Sequence, residues 1–408
     1  MSELSYLEKL LDGVKVEWKT LEKVLKRTKG TKITAGQMKA LHKDNAPLKI
    51  FAGGKTVAFV DFKDIPEKDI NREPSIIVKS RGIIEFEYYD KPFSHKNEMW
   101  SYHSNNDAIS IKYIYYFLKI NEGYFQKIGG KMQMPQIATP DTDKFEVPIP
   151  CPDNPEKSLA IQSEIVRILD KFTALTAELT AELNMRKKQY NYYRDQLLSF
   201  EDGEVEWKAL GTICQIGDGN HSSKYPKANE MIEQGIPFIR GTNMVNGTIC
   251  NQDMKYISKE KHNELKKGHL KAFDVLIANR GEVGKVAYVP EGYSGSNLNS
   301  QLAWLRANPE IIINRYLFFI LCSSTIQNKL SGEGGALQQL TIKNIKNIQI
   351  PVPSITVQSN IVSFLDKFDS LTNSISEGLP REIELRQKQY EYYRDLLFSF
   401  PKPDTVSN

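Results

Sequence analysis

The sequence predicts a mixed α/β (α+β) fold that occurs twice, with two domains in a pseudo-two-fold arrangement separated by two long antiparallel helices that form a coiled coil. Three segments of the first half return in the second half in the same order: 16–21 as 205–210, 162–172 as 358–368, and 186–200 as 386–400. The last pair is identical at 11 of 15 positions. A repeat of about 200 residues is too long for a solenoid or a propeller, so the chain is a tandem duplication.

The composition is that of a globular protein. The 408 residues are 40% hydrophobic and 25% charged, which is enough for two or three domains with cores of their own. A net charge of +4 excludes an overall polycation, so nucleic-acid contacts must come from local patches. The four cysteines form no CxxC pair, which argues against a zinc site and a disulfide framework. Together with the lack of a signal peptide, this predicts a cytoplasmic protein.

The repeats divide the chain into five predicted parts. In order, they are an N-terminal helix at 1–15 that closes a circular arrangement, a first α/β domain at 16–153, a long helix at 154–201, a second α/β domain at 202–353, and a C-terminal helix and tail at 354–408. The two domains show short apolar runs, such as Ser75 to Val78 and Val275 to Ile277, separated by Gly, Pro and Asn turns. Both domains end in a proline-containing strand, which favours an extended exit toward the helix.

The repeated segments carry the heptad spacing of a coiled coil. Along the first long helix the apolar or stacking positions advance by alternating steps of three and four residues, with one extra step of four inside TAELTAEL at 176–183. The second copy has Gly378 and Pro380 at the same place, which predicts a break or kink and a new helix near Arg381. Because the C-terminal sequence joined to the N-terminal sequence imitates the internal junction, we expect the chain ends to lie close together.

The sequence contains no complete motif for catalysis or cofactor binding. GGKT at 53–56 lacks the first glycine of a phosphate-binding loop, and SGEGGAL at 331–337 lacks the spacing of a dinucleotide site. The six histidines show no metal-ligand spacing, and no motif would hold a flipped base or a methyl donor. We therefore expect no catalytic residue, no metal and no cofactor in this chain.

Basic and amide side chains at predicted strand ends and loops are the candidate DNA contacts, because duplicated proteins commonly bind two-fold symmetric targets such as duplex DNA. Each domain has a strand that ends in Arg-Gly and a glycine pair followed by glutamines. Arg reads guanine edges, and Asn and Gln bind adenine. The alternative is a set of solvated turns. The candidates are Lys55, Lys79, Arg81, Lys91, Ser94, His95, Lys131, Gln133 and Gln136 in the first domain, and Asn220, His221, Ser222, Lys224, Arg240, Thr242, Asn243, Asn279, Arg280, Gln338 and Gln339 in the second.

A tyrosine stripe on the repeated helices exceeds what a seam between two helices can bury. It comprises Tyr190, Tyr192, Tyr193, Tyr390, Tyr392 and Tyr393. Because tyrosine is enriched at interfaces, the stripe predicts a surface for partner proteins, with internal packing against the α/β domains as the alternative.

The paired domains, each followed by a long helix that ends in QYNYYRDQLLSF or QYEYYRDLLFSF, resemble the specificity subunit of type I restriction-modification enzymes over the whole chain. TAELTAEL is similar to the type IC group in particular. The resemblance implies a non-catalytic subunit with two target recognition domains, each reading half of a bipartite asymmetric site in double-stranded DNA. It also implies partners, namely two modification subunits (adenine methyltransferases) bound to the repeated helices and restriction subunits. In that family S-adenosylmethionine, ATP and magnesium belong to the partner subunits.

A second function remains open from the residues themselves. A stand-alone DNA-binding regulator with a coiled-coil spacer would have the same organisation, but it would bind its site tightly without a partner.

The resemblance also implies a role for the tetrapeptide repeat, which in the type IC group acts as a ruler for the distance between the two half-sites. One TAEL unit adds about 6 Å of helix, against a rise of about 3.4 Å per base pair, so its number predicts the spacer between the half-sites.

Overall fold

The structure is a computed structural model that describes residues 10, 13–130, 133–201, 203–221, 225–331, 339–374 and 376–400. They form two compact units, unit 1 within 1–176 and 386–408, and unit 2 within 177–385. The helix predicted at 1–15 lies mainly outside the described residues. Among the described helices, none is both long and apolar enough to cross a membrane.

The α/β domain of unit 1, called domain 1, contains three small sheets. Its strands are β1 (Val16–Thr20), β2 (Lys26–Lys29), β3 (Leu48–Phe51), β4 (Val57–Val60), β5 (Ser75–Lys79), β6 (Glu85–Tyr89), β7 (Phe93–His95), β8 (Trp100–His103) and β9 (Glu146–Pro150). The sheets have the strand orders β1-β9, β2-β8-β5-β6 and β4-β3-β7. All pairings are antiparallel except the parallel pair β3 and β7. Strand β9 has one partner, which leaves its prolines room on the unpaired side.

The α/β domain of unit 2, called domain 2, repeats this topology. Its strands are β10 (Glu206–Ala209), β11 (Cys214–Asp218), β12 (Ile236–Ile239), β13 (Met244–Val245), β14 (Thr248–Ile249), β15 (Lys255–Ile257), β16 (Val275–Ala278), β17 (Val286–Tyr288), β18 (Asn297–Leu298), β19 (Leu302–Ala307) and β20 (Gln349–Val352). The orders β10-β20, β11-β19-β16-β17 and β15-β12-β18 match those of domain 1 strand for strand, and the hairpin β13-β14 is an addition. The predicted mixed α/β fold is confirmed in both halves.

Most short helices recur at matching places in the two domains, but the helix before β3 in domain 1 and the helix after β15 in domain 2 have no counterpart at the same place. Those of domain 1 are α1 (Leu21–Val24), α2 (Ala35–Leu41), α3 (Ile111–Ile120), α4 (Glu122–Gly129) and α5 (Thr139–Asp143), and the first long helix is α6 (Pro155–Leu197). Those of domain 2 are α7 (Leu210–Ile213), α8 (Lys259–Glu264), α9 (Asn314–Cys322), α10 (Ser324–Ser331) and α11 (Ile342–Asn347), followed by α12 (Ile355–Asn373) and α13 (Gly378–Leu397). The helix α3 begins at a hydrogen bond from the Tyr113 amide to the Ser110 hydroxyl.

The two copies of the long helix differ as the sequence predicts. Helix α6 runs through TAELTAEL without interruption, whereas the second copy is broken between α12 and α13. Gly378 begins α13 with φ of 75°, and a Cβ there would lie 2.4 Å from the carbonyl oxygen of Ser370. Only glycine therefore fits this turn. The new helix begins three residues before the predicted Arg381.

The long helices pack antiparallel, with paired aromatic rings along the seam. In unit 1, Phe172 near the middle of α6 stacks on Tyr393 of α13 at 5.4 Å. In unit 2, Tyr193 near the end of α6 contacts Phe364 and Phe368 of α12, both at 5.7 Å. Each unit therefore contains one half of α6 and the opposite half of the second copy.

A buried glutamine attaches each long helix to its α/β domain. Gln162 of α6 accepts a hydrogen bond from the Ser110 amide and donates to the Ala108 carbonyl at 3.0 Å. Gln358 of α12 likewise accepts from the Ile313 amide and donates to the Ile311 carbonyl. Both glutamine side chains are fully buried. The repeated Gln-Ser dipeptide thus fixes the helix to the loop before α3 or α9.

The core of unit 1 joins segments from both ends of the chain. Leu397 and Phe398 pack into the core of domain 1, where the Phe398 ring lies 5.2 Å from that of Tyr113. Leu10 and Val14 pack against the same core. This agrees with the expectation that the ends are close, although the terminal residues themselves lie outside the described part of the chain.

Candidate nucleic-acid interface

Five loops of domain 1 meet at one end of the sheet β2-β8-β5-β6, and we call this surface edge 1. The loops are residues 30–32, 52–56, 80–84, 96–98 and 133–136. The Gly82 amide donates to the Pro135 carbonyl at 2.9 Å, which places Arg81 opposite Gln136 in a β-bridge. The Ser80 hydroxyl donates to the Glu98 carbonyl at 2.6 Å. Arg81 and Gln136, which the sequence places far apart, are therefore exposed neighbours.

Domain 2 has the same surface at the end of the sheet β11-β19-β16-β17, and we call it edge 2. Its described loops are residues 219–221, 240–243, 279–285, 299–301 and 339–340. A β-bridge places Arg280 opposite Gln339, as Arg81 lies opposite Gln136. The Leu340 amide donates to the Asn279 carbonyl, and the Asn279 amide donates to the Gln301 carbonyl at 3.0 Å. Two domains with little sequence in common thus present one arrangement of arginine and glutamine.

Glycines shape both edges in the same way. Gly82 and Gly281 follow the two arginines with φ of 74° and 75°, a conformation that side chains rarely adopt. Gly30 and Gly219 allow close approach of backbones, because a Cβ would lie 2.3 Å from the His95 carbonyl oxygen and 2.4 Å from that of Leu298. The turn that exposes each arginine is therefore fixed by the backbone.

The two edges differ in chemistry at one matching position. In edge 1 the Lys96 ammonium lies 2.6 Å from the Glu98 carboxylate. Burial alone would raise the pKa of Glu98. The opposing effects are larger: Lys96 and a backbone amide donate hydrogen bonds to the carboxylate, and the positive charges of Lys96 and Arg81 stabilise its ionised form. The pKa of Glu98 is therefore below its ordinary value. Edge 2 has the neutral Gln301 at the matching place before β19. Asn279 is 6% exposed, and its Oδ1 has no hydrogen-bond partner among the described residues.

Several predicted DNA contacts face the interior, and for these the prediction was wrong. Three of them are fully buried: Ser94, His95 and Asn243. Ser94 donates to the Asp69 carbonyl, and Asn243 donates to the Gln252 carbonyl. The His95 ring is hydrogen-bonded to the Ser101 hydroxyl. Burial lowers the pKa of His95 to about 4. Ser94 and His95 are neighbours in β7, which is buried along its whole length, and Asn243 completes a turn. The residue types alone do not reveal either environment.

Two further candidates are largely occupied by contacts within the protein. Lys79 is 7% exposed and pairs with Glu85 and Glu87 at 2.6 and 2.9 Å, which excludes it from a DNA surface. Asn220 is 7% exposed, and its amide bonds to the backbone of Lys266 and Lys267. Its role is to hold the loop after β11.

The remaining described candidates are at least partly exposed, and they differ in position. Lys55 follows β3 in edge 1, and His221 and Thr242 lie in edge 2. Arg240 follows β12 in edge 2 and donates to the Asp253 carbonyl. Lys91 follows β6 at the opposite end of the sheet from Arg81, because β5 and β6 form a hairpin. Gln133 is exposed in edge 1, whereas Lys131, Ser222, Lys224 and Gln338 lie outside the described residues.

The tyrosine stripe separates into inner and outer residues. Tyr190 is 6% exposed within the core of unit 2, so its assignment to a partner surface was wrong. Tyr193 and Tyr393 contact rings of the neighbouring helix, and Tyr390 packs against the core of unit 1. Tyr192 and Tyr392 are 61% and 54% exposed at equivalent positions of the two helices. These two tyrosines are the most exposed members of the stripe, and we call them its outward tyrosines.

Glu98 and Gln301 are the edge residues that the sequence did not reveal. Each comes shortly before a strand that pairs with the Arg-Gly strand: Glu98 lies two residues before β8, and Gln301 lies directly before β19. These pairings join residues about 20 positions apart in the chain, and no local pattern marks them.

Comparison with known proteins gives one consistent result. The family described as type I restriction modification DNA specificity domain matches the chain twice, at residues 15–186 and 203–385. The EcoR124I/EcoR124II type I restriction enzyme specificity subunit of Escherichia coli is 44% identical over 417 residues, which cover 100% of both chains.

Two solved structures share the fold at low sequence identity. The type I restriction-modification S subunit of M. genitalium is 16% identical with a TM-score of 0.62, covering 96% of this chain and 98% of that one. A chain solved in work on complex assembly and conformational transition of the type I restriction-modification system is 15% identical with a TM-score of 0.52, covering 95% and 98%.

Proposed function

Because the chain belongs to the family of type I restriction-modification DNA specificity subunits, we propose that its two domains read the halves of a bipartite asymmetric DNA site through edge 1 and edge 2. It recognises DNA through two target recognition domains and is a non-catalytic subunit. Because the chain belongs to this family, we do not retain the alternative that it is a stand-alone DNA-binding regulator. The observation that carries the proposal is the exposed Arg-Gly turn bridged to a glutamine at the same sheet end of both domains.

The chemistry of the two edges suits base reading. Arg81 and Arg280 can donate two hydrogen bonds to guanine, and Gln136 and Gln339 can bind adenine. The buried Oδ1 of Asn279 lacks a donor in the described residues, and a base amino group would supply one. Lys55 and the partly exposed His221 are placed to contact phosphates, which position the protein without reading sequence.

Edge variants in the assembled complex test this proposal. With Arg81→Gln, we expect altered base preference in one half-site only, and with Arg280→Gln in the other half-site only. Each lost bidentate contact should reduce discrimination at its position by about 5- to 150-fold. The readout is sequencing of methylated adenines over a library of sites. Lys91→Gln is the matched control, because it removes an exposed charge of domain 1 at the far end of the sheet. Unchanged preferences in both arginine variants would contradict the proposal.

We further propose that the outward tyrosines bind two modification subunits, with restriction subunits completing the complex. The support is the exposure of Tyr192 and Tyr392 at equivalent helix positions and the relatives' membership of multisubunit enzymes. S-adenosylmethionine, ATP and magnesium would then bind to those partners. We expect Tyr192→Ala with Tyr392→Ala to reduce co-purification of the modification subunit. Tyr124→Ala, which removes a 52% exposed tyrosine of domain 1, should leave co-purification unchanged. Equal recovery with all variants would refute the assignment.

A further inference from the structure

One position has the same place in both edges but different chemistry. Glu98 and Gln301 precede β8 and β19, and the carbonyl of each accepts a hydrogen bond from the turn that exposes an arginine. The Glu98 side chain is 25% exposed, and Gln301 is exposed. A glutamine amide both donates and accepts hydrogen bonds, whereas an ionised carboxylate only accepts. The two edges therefore offer different recognition groups beside equivalent arginines.

Glu98 is held in its ionised form. Lys96 lies 2.6 Å from it, and the positive charge of Arg81 acts on it as well. With its pKa below the ordinary carboxyl range, this group carries a negative charge at neutral pH. It cannot donate a hydrogen bond to an acceptor atom of a base.

A carboxylate on a surface that approaches DNA is unfavourable unless it meets a donor. Phosphates and base acceptors repel it, and removing its water without replacement leaves an unpaired charge. In the major groove the donors are the amino groups of cytosine N4 and adenine N6, whereas guanine O6 and thymine O4 are acceptors. Lys96 offsets part of the phosphate repulsion but leaves the carboxylate as an acceptor.

We propose that Glu98 is a specificity-determining residue of edge 1, which accepts a hydrogen bond from a cytosine or adenine amino group and rejects guanine and thymine at one position of its half-site. This inference rests on the proposed function of the edges. Gln301 imposes no such rejection at the corresponding position of edge 2, because its amide can also donate to guanine O6 or thymine O4.

The test uses the complete complex with its modification subunits. Glu98→Gln keeps the shape of the side chain and removes its charge. In methylation of a site library randomised one position at a time, we expect a single position of one half-site to lose its preference for amino-bearing bases. The preference should fall from at least about tenfold to under about threefold, consistent with the range for single base contacts. The other half-site should remain unchanged.

Two further variants separate recognition from local structure. Gln301→Glu, the reciprocal change in edge 2, should create a preference for cytosine or adenine at one position of the other half-site. Lys96→Gln removes the ion pair but keeps the carboxylate, so it should weaken methylation at all sites while keeping the base preference. If Glu98 served only to hold Lys96, Lys96→Gln and Glu98→Gln would have the same effect.

The outcomes for Glu98 and for the edges are distinguishable. A change with Arg81→Gln but none in base preference with Glu98→Gln would overturn the role of Glu98 and leave edge 1 as a reading surface. A uniform loss of methylation with Glu98→Gln would likewise overturn it. Unchanged recognition with Arg81→Gln, Arg280→Gln and Glu98→Gln together would overturn the proposed function itself.

Discussion

Two buried glutamines connect the long helices to the α/β domains through hydrogen bonds. Gln162 and Gln358 each accept from one backbone amide and donate to backbone carbonyls while fully buried. A buried polar group that loses its partner costs about 1–3 kcal/mol. The repeated sequence around them therefore preserves a hydrogen-bond pattern as well as an apolar seam.

We expect Gln162→Ala to lower the unfolding free energy of unit 1, and Gln358→Ala that of unit 2, by about 1–3 kcal/mol each, because backbone groups are left unpaired. Urea unfolding measures the change. Gln196→Ala, an exposed position of the same helix α6, should alter stability by less than about 0.5 kcal/mol. Equal effects of Gln196→Ala and Gln162→Ala would contradict this role.

His95 gives unit 1 a dependence on pH. Burial holds its pKa at about 4, whereas an unfolded histidine titrates near 6.5. Below pH 6.5 the unfolded state binds more protons than the folded state, so stability falls as the pH falls toward 4. From pH 7 to pH 5 this residue alone should remove about 2 kcal/mol.

Replacement of His95 by Gln should flatten that slope. The measurement is urea unfolding at pH 7 and pH 5, followed by the fluorescence of Trp18 and Trp100 after Trp207 and Trp304 are replaced by Phe. Identical slopes for the protein with and without His95 would show that its buried neutral form contributes nothing to the acid sensitivity.

At the scale of elements, we expect the length of the uninterrupted helix α6 to determine the length of the non-specific DNA spacer between the half-sites. We expect a third TAEL unit after Leu183 to lengthen the non-specific spacer by about one or two base pairs, because four residues add about 6 Å. Both half-sites should stay the same. Sequencing of methylated sites reads out the spacer.

The matched control for this length change is an insertion of four residues into the loop at 203–205, which lies beyond the end of α6. It should leave the spacer unchanged. An unaltered spacer with the third TAEL unit would refute the ruler, whereas a longer spacer with the loop insertion would place the ruler elsewhere.

Local sequence patterns predicted the strands and helices better than they predicted which residues lie on the DNA-reading surface. The apolar runs at Ser75 to Val78 and Val275 to Ile277 are strands, and Gly378 breaks the second long helix. The parallel pairing of β3 with β7 and the neighbourhood of Arg81 and Glu98 were not predictable, because they depend on contacts between distant segments. Ser94 and His95 were assigned to DNA for their chemistry, but both faces of β7 are covered, so both side chains are buried.

At the scale of the whole molecule, unit 1 combines residues within 1–176 with residues within 386–408, whereas unit 2 is continuous within 177–385. We expect a circular permutant with its ends joined and new termini in the loop at 203–205 to fold and to support methylation of the same sites. That loop lies between α6 and β10, whereas Leu397 and Phe398 stay connected to the core they complete.

New termini placed inside TAELTAEL at 176–183 provide the opposing permutant. This opening cuts α6 and should abolish defined recognition. Sequencing of methylated sites compares the two permutants with the original chain. Loss of recognition in both would argue that chain order matters beyond the contacts of each unit.

Because unit 1 contains segments from before and after unit 2 in the chain, its core is completed after that of unit 2 during synthesis. Domain 1 leaves the ribosome before domain 2, yet its core includes Leu397, Phe398 and Phe400, which are synthesised after domain 2. Unit 2, within 177–385, is complete while unit 1 still exposes apolar surface. The half of the protein that is made first is therefore completed second, and in that interval its exposed apolar surface makes it more prone to aggregation than unit 2.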